Sequence, residues 1–212
     1  MAKTQRKTQP KTGEGRFTFA EYETWPTDEH WELIDGEAFA MTPGPGTAHQ
    51  EVFNGLFYQL LTFFKEGPCR VLTDPYEFRL ARPGQKEAEI TDVVKPDLAV
   101  VCDPSRYDER GGIGAPDFVI EILSPPTASR DHVKKRRLYE RHKVREFWLV
   151  DPETRLVTAY RRSRGSFGKA DILDGEGLTL PVPAFPGLSI EFGKVFPPRP
   201  PVVREYPSVY RT

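Results

Sequence analysis

The sequence predicts one mixed α/β domain, on three observations. Short apolar, β-favouring runs recur, above all KPDLAVVCD at 95–103 and PDFVIEILS at 116–124. Two longer stretches, 49–64 and 130–143, carry helical spacing instead. Asp35-Gly36, set between WELI and EAFAM, is a strong signal for a tight hairpin.

The elements follow in order. FTFAEYETW reads as a short helix entered at Thr18 and stopped by Pro26. The hairpin around Asp35-Gly36 comes next, then a glycine/proline loop, TPGPGTAH. Val52, Phe53, Leu56, Phe57, Leu60, Leu61 and Phe64 then line a helix long enough to cover one face of a sheet. RVLTD and YEFRLA read as strands before a charged loop at 84–89. The two runs that open the argument follow, then the basic helix 130–143. REFWLVDP and LVTAYRR form a second hairpin, and LPVPAFPGLSIEF supplies short finishing strands. Residues 1–16 hold Lys3, Arg6, Lys7, Lys11 and Arg16 against Glu14 alone and read as a disordered basic arm. Residues 17–196 make the domain, and 197–212 a proline-rich, extended tail.

Composition narrows the function. With 212 residues and a formal net charge of −1, no global field points to a polyanion, so such a partner must meet a local patch. No run of about 18 apolar residues exists to span a membrane, and the basic N-terminus has no apolar stretch behind it. Cys69 and Cys102 read as two small buried hydrophobes, which suits a reducing, cytoplasmic setting.

One constellation carries chemistry. In an extended strand Val119, Glu121 and Leu123 share a face, opposite Phe118, Ile120 and Ile122. A carboxylate among such neighbours costs several kcal/mol unless a metal, a lysine or hydrogen bonds compensate it. Seven residues on, Asp131, Lys135 and Tyr139 stand at i, i+4 and i+8 on one helical stripe. The tight turn lets Lys135 reach back toward Glu121. Asp97 opens the preceding strand, where an isolated Asp after Pro also reads as a plain turn residue. Glu32 lies on the hairpin, suited to a cross-strand pair or to the same site. His49 reads as a helix cap, and His30, His132 and His142 as solvated. Trp148 and Tyr160 read as core or dimer-contact aromatics.

The run PDFVIEILSPPTASRDHVKKRRLYERHKVREFWLVDP resembles the signature of the Uma family of bacterial restriction-endonuclease-like proteins. Glu121, Ser124, Arg130, Asp131, Lys135, Tyr139, Trp148 and Asp151 occupy matching positions. WELIDGE, PDLAVV and FPGLSIEF extend the likeness over about residues 17–196. That family is placed with the PD-(D/E)xK nucleases. The resemblance implies a restriction-endonuclease-like mixed β-sheet core flanked by helices, with an added N-terminal hairpin and C-terminal strands. It implies Mg²⁺ or Mn²⁺ held by Asp97, Glu121 and the carbonyl of Ile122, with Glu32 beside them and Asp131, Tyr139 and His49 in support. Leu123 stands where the plain motif has lysine, so the resemblance moves that role to Lys135 on the helix.

Such residues suit hydrolysis of phosphodiester bonds in DNA, since a bound divalent ion activates water and a lysine steadies developing charge. Arg130, Lys134, Arg136 and Arg137 on the basic helix either track a phosphate backbone or form a solvated face. A duplex-cutting enzyme would act as a homodimer. Two rivals stand: a nucleic-acid-binding or scaffold protein that keeps the fold without turnover, and an unrelated Mg²⁺ hydrolase of a small phosphorylated ligand. GPGTAH lacks the lysine and spacing of a Walker loop.

Overall fold

The short segment after Thr18 becomes helical because Thr18 and Glu21 close a capping box, the Glu21 carboxylate accepting from the Thr18 N–H at 2.8 Å. This is seen in a computed structural model, which describes residues 15–26, 30–41 and 46–198. Of the expected terminal arm and tail, only 15–16 and 197–198 fall within the described residues.

In chain order the structure runs through α1 (Phe19–Tyr22), β1 (Trp31–Ile34), β2 (Glu37–Ala40), α2 (Thr47–Phe64), β3 (Arg70–Thr73) and β4 (Phe78–Arg79). Next come β5 (Val93–Val94), β6 (Leu98–Val101), β7 (Tyr107–Asp108), β8 (Gly111–Ile113) and β9 (Phe118–Ile122). The basic helix follows in three parts: α3 (Ala128–Arg130), a π-helical segment (Asp131–Lys135) and α4 (Arg136–Arg141). Then come β10 (Glu146–Val150), β11 (Leu156–Ser163), β12 (Ser166–Phe167), β13 (Asp171–Asp174), β14 (Thr179–Pro181) and β15 (Ser189–Glu191).

The central sheet has the order β12-β11-β10-β9-β6-β3, with β13 beside β11. Only β9 and β10 run parallel, joined by the helix between them, as parallel neighbours require a crossover. A second sheet, β2-β1-β5-β4-β8-β7, contains the hairpin. Both turn residues of that hairpin have positive φ, 53° at Asp35 and 79° at Gly36, which an Asp-Gly pair tolerates.

Strand β9 is buried along its whole length because each face has its own cover. Phe118, Ile120 and Ile122 pack with Leu56 and Leu60 of α2 and with Trp148. Val119 packs on the other side with Leu138, Phe147 and Leu149. The alternation predicted for 118–123 is therefore present. So is the mixed helix-flanked architecture, and Trp148 is core.

Three readings change. Val93–Val94 is a strand between β1 and β4, too short to show a period in the sequence. Cys69 and Cys102, expected as free buried hydrophobes, are half-buried and bonded to each other. Cys69 precedes Arg70 and Cys102 follows Val101, the end pair of the antiparallel register, so the bond ties edge strand β3 to β6. His142 is not solvated: its side chain is 4% exposed and Nε2 lies 3.0 Å from Asp92 Oδ2.

Gly55 offers a test of the α2 packing. A Cβ there would lie 2.7 Å from the Val195 Cα and 2.8 Å from the Lys194 carbonyl oxygen, both backbone atoms. Ala inside a helix ordinarily gains about 1 kcal/mol over Gly. Here overpacking, about 1–3 kcal/mol, should win, so Gly55→Ala should lower Tm by several degrees in a thermal melt. A rise in Tm would show that α2 does not sit this close to the C-terminal segment.

Candidate active site

The strand register sets the site. Leu98 pairs with Ile120, so Asp97, one residue before β6, stands level with Glu121 of β9. Thr73 pairs with Leu98, so Asp74 in turn stands level with Asp97. Three acidic residues thus form a row across three strands. The Asp97 Oδ2 accepts from the Ile122 N–H at 2.7 Å, and its Oδ1 lies 3.4 Å from His49 Nε2.

Above this row, the π-helical segment turns both Asp131 and Lys135 inward, each 3% exposed. Such bulges recur at functional sites because they re-aim side chains. Lys135 Nζ donates to Glu121 Oε1 at 2.8 Å. It lies 2.9 Å from Glu32 Oε1 and 3.8 Å from Asp131 Oδ1. The Tyr139 hydroxyl donates to Glu121 Oε1 at 2.6 Å. Glu32, fully buried on β1, also accepts the Lys95 N–H at 2.9 Å. The helical stripe Asp131–Lys135–Tyr139 therefore faces Glu121, and Glu32 joins it from the second sheet.

The electrostatics are crowded. Burial pushes the Glu121 carboxyl up to about 8; Lys135 opposes this, while Asp131, Asp97 and Glu32 add to it. Burial raises Asp131 as well, with Glu32 contributing, against the pull of Lys135. For Lys135, burial works against the charge, yet Glu121, Glu32 and Asp131 together hold its proton well above the usual range. Burial, then Glu121 and Glu32, places the Tyr139 hydroxyl well above its ordinary value. At neutral pH the cluster thus keeps an ammonium, a phenol and at least part of a carboxyl proton.

Acceptors exceed donors here. Glu32 Oε2 and Asp131 Oδ1 are buried without a hydrogen bond. Their nearest charged partners are Arg130 Nη2 at 3.6 Å and Arg130 Nε at 3.9 Å or Lys135 Nζ at 3.8 Å. Oxygen donors of this kind fit a hard divalent cation, and Mg²⁺ takes one or two carboxylates with waters completing its shell. The described residues contain no group of three His, Cys, Asp or Glu side chains arranged to hold a metal. A fit thus rests on the level pair Asp97 and Glu121.

Other expectations are placed differently. His49 is not a cap, since α2 starts at Thr47 with Gly46 at its N-cap. It faces Asp97 instead, and its Nδ1 is buried without a hydrogen bond. Ile122 donates its N–H to Asp97 Oδ2 at 2.7 Å. Arg130 turns inward to Glu32 and Asp131, over the Phe39 ring. Lys134 pairs with Glu37, and Arg136 with Glu140 and the Tyr160 ring. Arg137 is exposed. No spacing in the sequence links Asp74 or Lys95 to Glu121: the β3–β6 register brings Asp74 level with Asp97, and Lys95 joins through its N–H bond to Glu32.

Comparison with known proteins follows this geometry. Residues 19–193 match the family described as "Uma2: Putative restriction endonuclease". The uncharacterized protein slr1290 of Synechocystis sp. is 26% identical over 140 residues, 64% of this chain and 67% of that protein. A solved structure described as "a putative nuclease belonging to DUF820" from Anabaena variabilis superposes with a TM-score of 0.67 at 24% identity. It covers 85% of this chain and 97% of that one, so the fold is shared almost end to end.

Two outcomes test the cluster. Lys135→Met strands Glu32 and Glu121 around an apolar group, so chemical denaturation should show a loss of about 3–5 kcal/mol. Adding Glu121→Gln should restore part of it; a neutral single variant would mean the ammonium is not what holds the carboxylates. The second outcome concerns pH. Glu121 binds its proton more tightly folded than unfolded, so between the ordinary carboxylate range and about 8 the folded state holds more protons. Stability from this group is full at the acid end and falls as pH rises through that window. Melts of Glu121→Gln should be flatter there than those of the parent.

Proposed function

Since the chain belongs to the Uma2 family, we propose that it is a divalent-metal-dependent nuclease that hydrolyses phosphodiester bonds in DNA, with Asp97 and Glu121 as its metal ligands. The observation that carries this reading is the Asp97–Glu121 pair, level across β6 and β9 beneath a buried lysine. A bound Mg²⁺ or Mn²⁺ supplies a water of lowered pKa and neutralises charge on the phosphate. The chain's own groups do the rest. Lys135 stays protonated among its carboxylates, which suits a donor and not a base. It orients the attacking water and stabilises negative charge on the phosphate oxygens. Tyr139 and Glu32 fix the position of Lys135 and Glu121. His49 and the Ile122 N–H fix Asp97.

The rival, a DNA-binding or scaffold protein without turnover, draws on the mutual hydrogen bonding of Glu121, Lys135 and Tyr139, which also suits a purely structural core. The two separate in one assay. Purified protein is incubated with supercoiled and single-stranded DNA in Mg²⁺, Mn²⁺ or chelator. Cleavage with either metal, absent in chelator, is expected. Asp97→Asn keeps a group able to accept the Ile122 N–H, so it should melt like the parent while losing at least about 100-fold in rate. Cleavage surviving in Asp97→Asn or in chelator would refute the assignment.

A second outcome concerns the exposed Arg137. If it meets a phosphate, Arg137→Ser should weaken DNA binding at all sequences and reduce the salt slope by about 1. An unchanged slope in a binding titration returns that face to solvent.

A further inference from the structure

A cavity of about 830 Å³ lies beside the acidic row, and the chemistry above does not use it. That volume is within the range of small-ligand sites. Tyr22, Trp25, Trp31 and Tyr76 form its aromatic walls. The Trp25 ring lies 5.3 Å from Tyr22 and 5.7 Å from Trp31, so the rings brace one another into a fixed surface. Two polar groups stand together on this wall. Glu77 Oε2 accepts from the Tyr22 hydroxyl at 2.8 Å. Lys95 Nζ, on a side chain 8% exposed, lies 3.8 Å from the same oxygen, beyond hydrogen-bond reach.

An aromatic wall bearing an acceptor and a charged donor side by side matches one chemistry well. A nucleobase has a face that stacks on aromatic rings and an edge with donor and acceptor adjacent. Phosphate suits the cavity poorly, because Glu77 and Asp74 both line it. Its position is equally specific. Lys95 lies two residues before Asp97 and gives its N–H to Glu32. Asp74 stands level with Asp97. The cavity therefore opens next to the proposed metal ligands, one short backbone step away.

We infer that this cavity receives one unpaired nucleobase adjacent to the phosphodiester bond to be cut, stacked against Trp25 and Tyr22 and read at its edge by Glu77 and Lys95. The inference rests on the nuclease reading for the position of the phosphate. A base paired in a duplex cannot enter, since it must first leave the stack. The substrate is then single-stranded DNA or a nucleotide turned out of a duplex.

The test is binding in chelator, where no cutting occurs. Single-stranded oligonucleotides carrying 2-aminopurine are titrated with the full-length protein, against a duplex of the same sequence and an abasic strand of equal length. Saturable quenching is expected for the single strand, with at least about tenfold weaker binding of the abasic strand. Trp25→Leu should weaken binding of the base-bearing strand about tenfold and leave the abasic strand unaffected. Glu77→Gln, which keeps shape, covers the case in which Trp25→Leu fails to fold; it should alter the preference among the four bases. Equal binding of abasic and base-bearing strands, or no saturable quenching of the single strand, would overturn the inference. Metal-dependent cleavage is scored separately. Cutting with no base effect removes the cavity's role and leaves the nuclease reading. Base stacking with no cutting in any metal removes the nuclease reading, and with it the placement beside a bond to be cut, and leaves base binding in the cavity.

Discussion

The buried ammonium of Lys135 is the constraint around which the rest of this molecule is arranged. An unpaired charge so deep costs several kcal/mol, so partners must converge on it from wherever the chain can supply them. Glu32 comes from β1 in the second sheet, Glu121 from the middle of the central sheet, and Asp131 from the same helix. One side chain thereby joins two sheets and the crossover helix. Asp131 and Lys135 both lie buried within the π-helical segment.

That solution is overdrawn toward the acidic side, and the imbalance has chemical meaning. One ammonium and the edge of Arg130 face Glu32, Glu121 and Asp131, with Asp97 close enough to raise Glu121 further. Buried oxygens without hydrogen bonds are uncommon in folded proteins and call for a reason. Here the reason is that Glu32, Glu121 and Asp131 share one ammonium. The same crowding keeps Lys135 charged.

The N-terminal hairpin is more than an addition to a nuclease-like core. Through Glu32 it reaches the lysine, and through the Lys95 N–H it holds the segment that leads into Asp97. α1 and the second sheet also supply Tyr22 and Trp31 of the aromatic wall beside the acidic row. Elements that look peripheral in chain order thus bracket the site.

Much was legible from residue patterns alone. Period-two alternation over 118–123 identified the two faces of β9, because a strand covered on both sides still alternates its side chains. The i, i+4, i+8 spacing put Asp131, Lys135 and Tyr139 on one stripe, and the short turn after β9 aimed it at Glu121. Asp-Gly located the hairpin through its positive φ angles. Those features depend on neighbours within about ten residues, and local chemistry decides them. Tertiary structure alone decided what depends on register between distant strands. It placed Asp74 and Asp97 level with Glu121, turned His49 from a cap into a partner of Asp97, and buried His142 against Asp92. It also joined Cys69 to Cys102 and set Lys95 between a cavity and a carboxylate. Residues so far apart in the chain carry no mutual period, so only the closing of the sheets could bring them together.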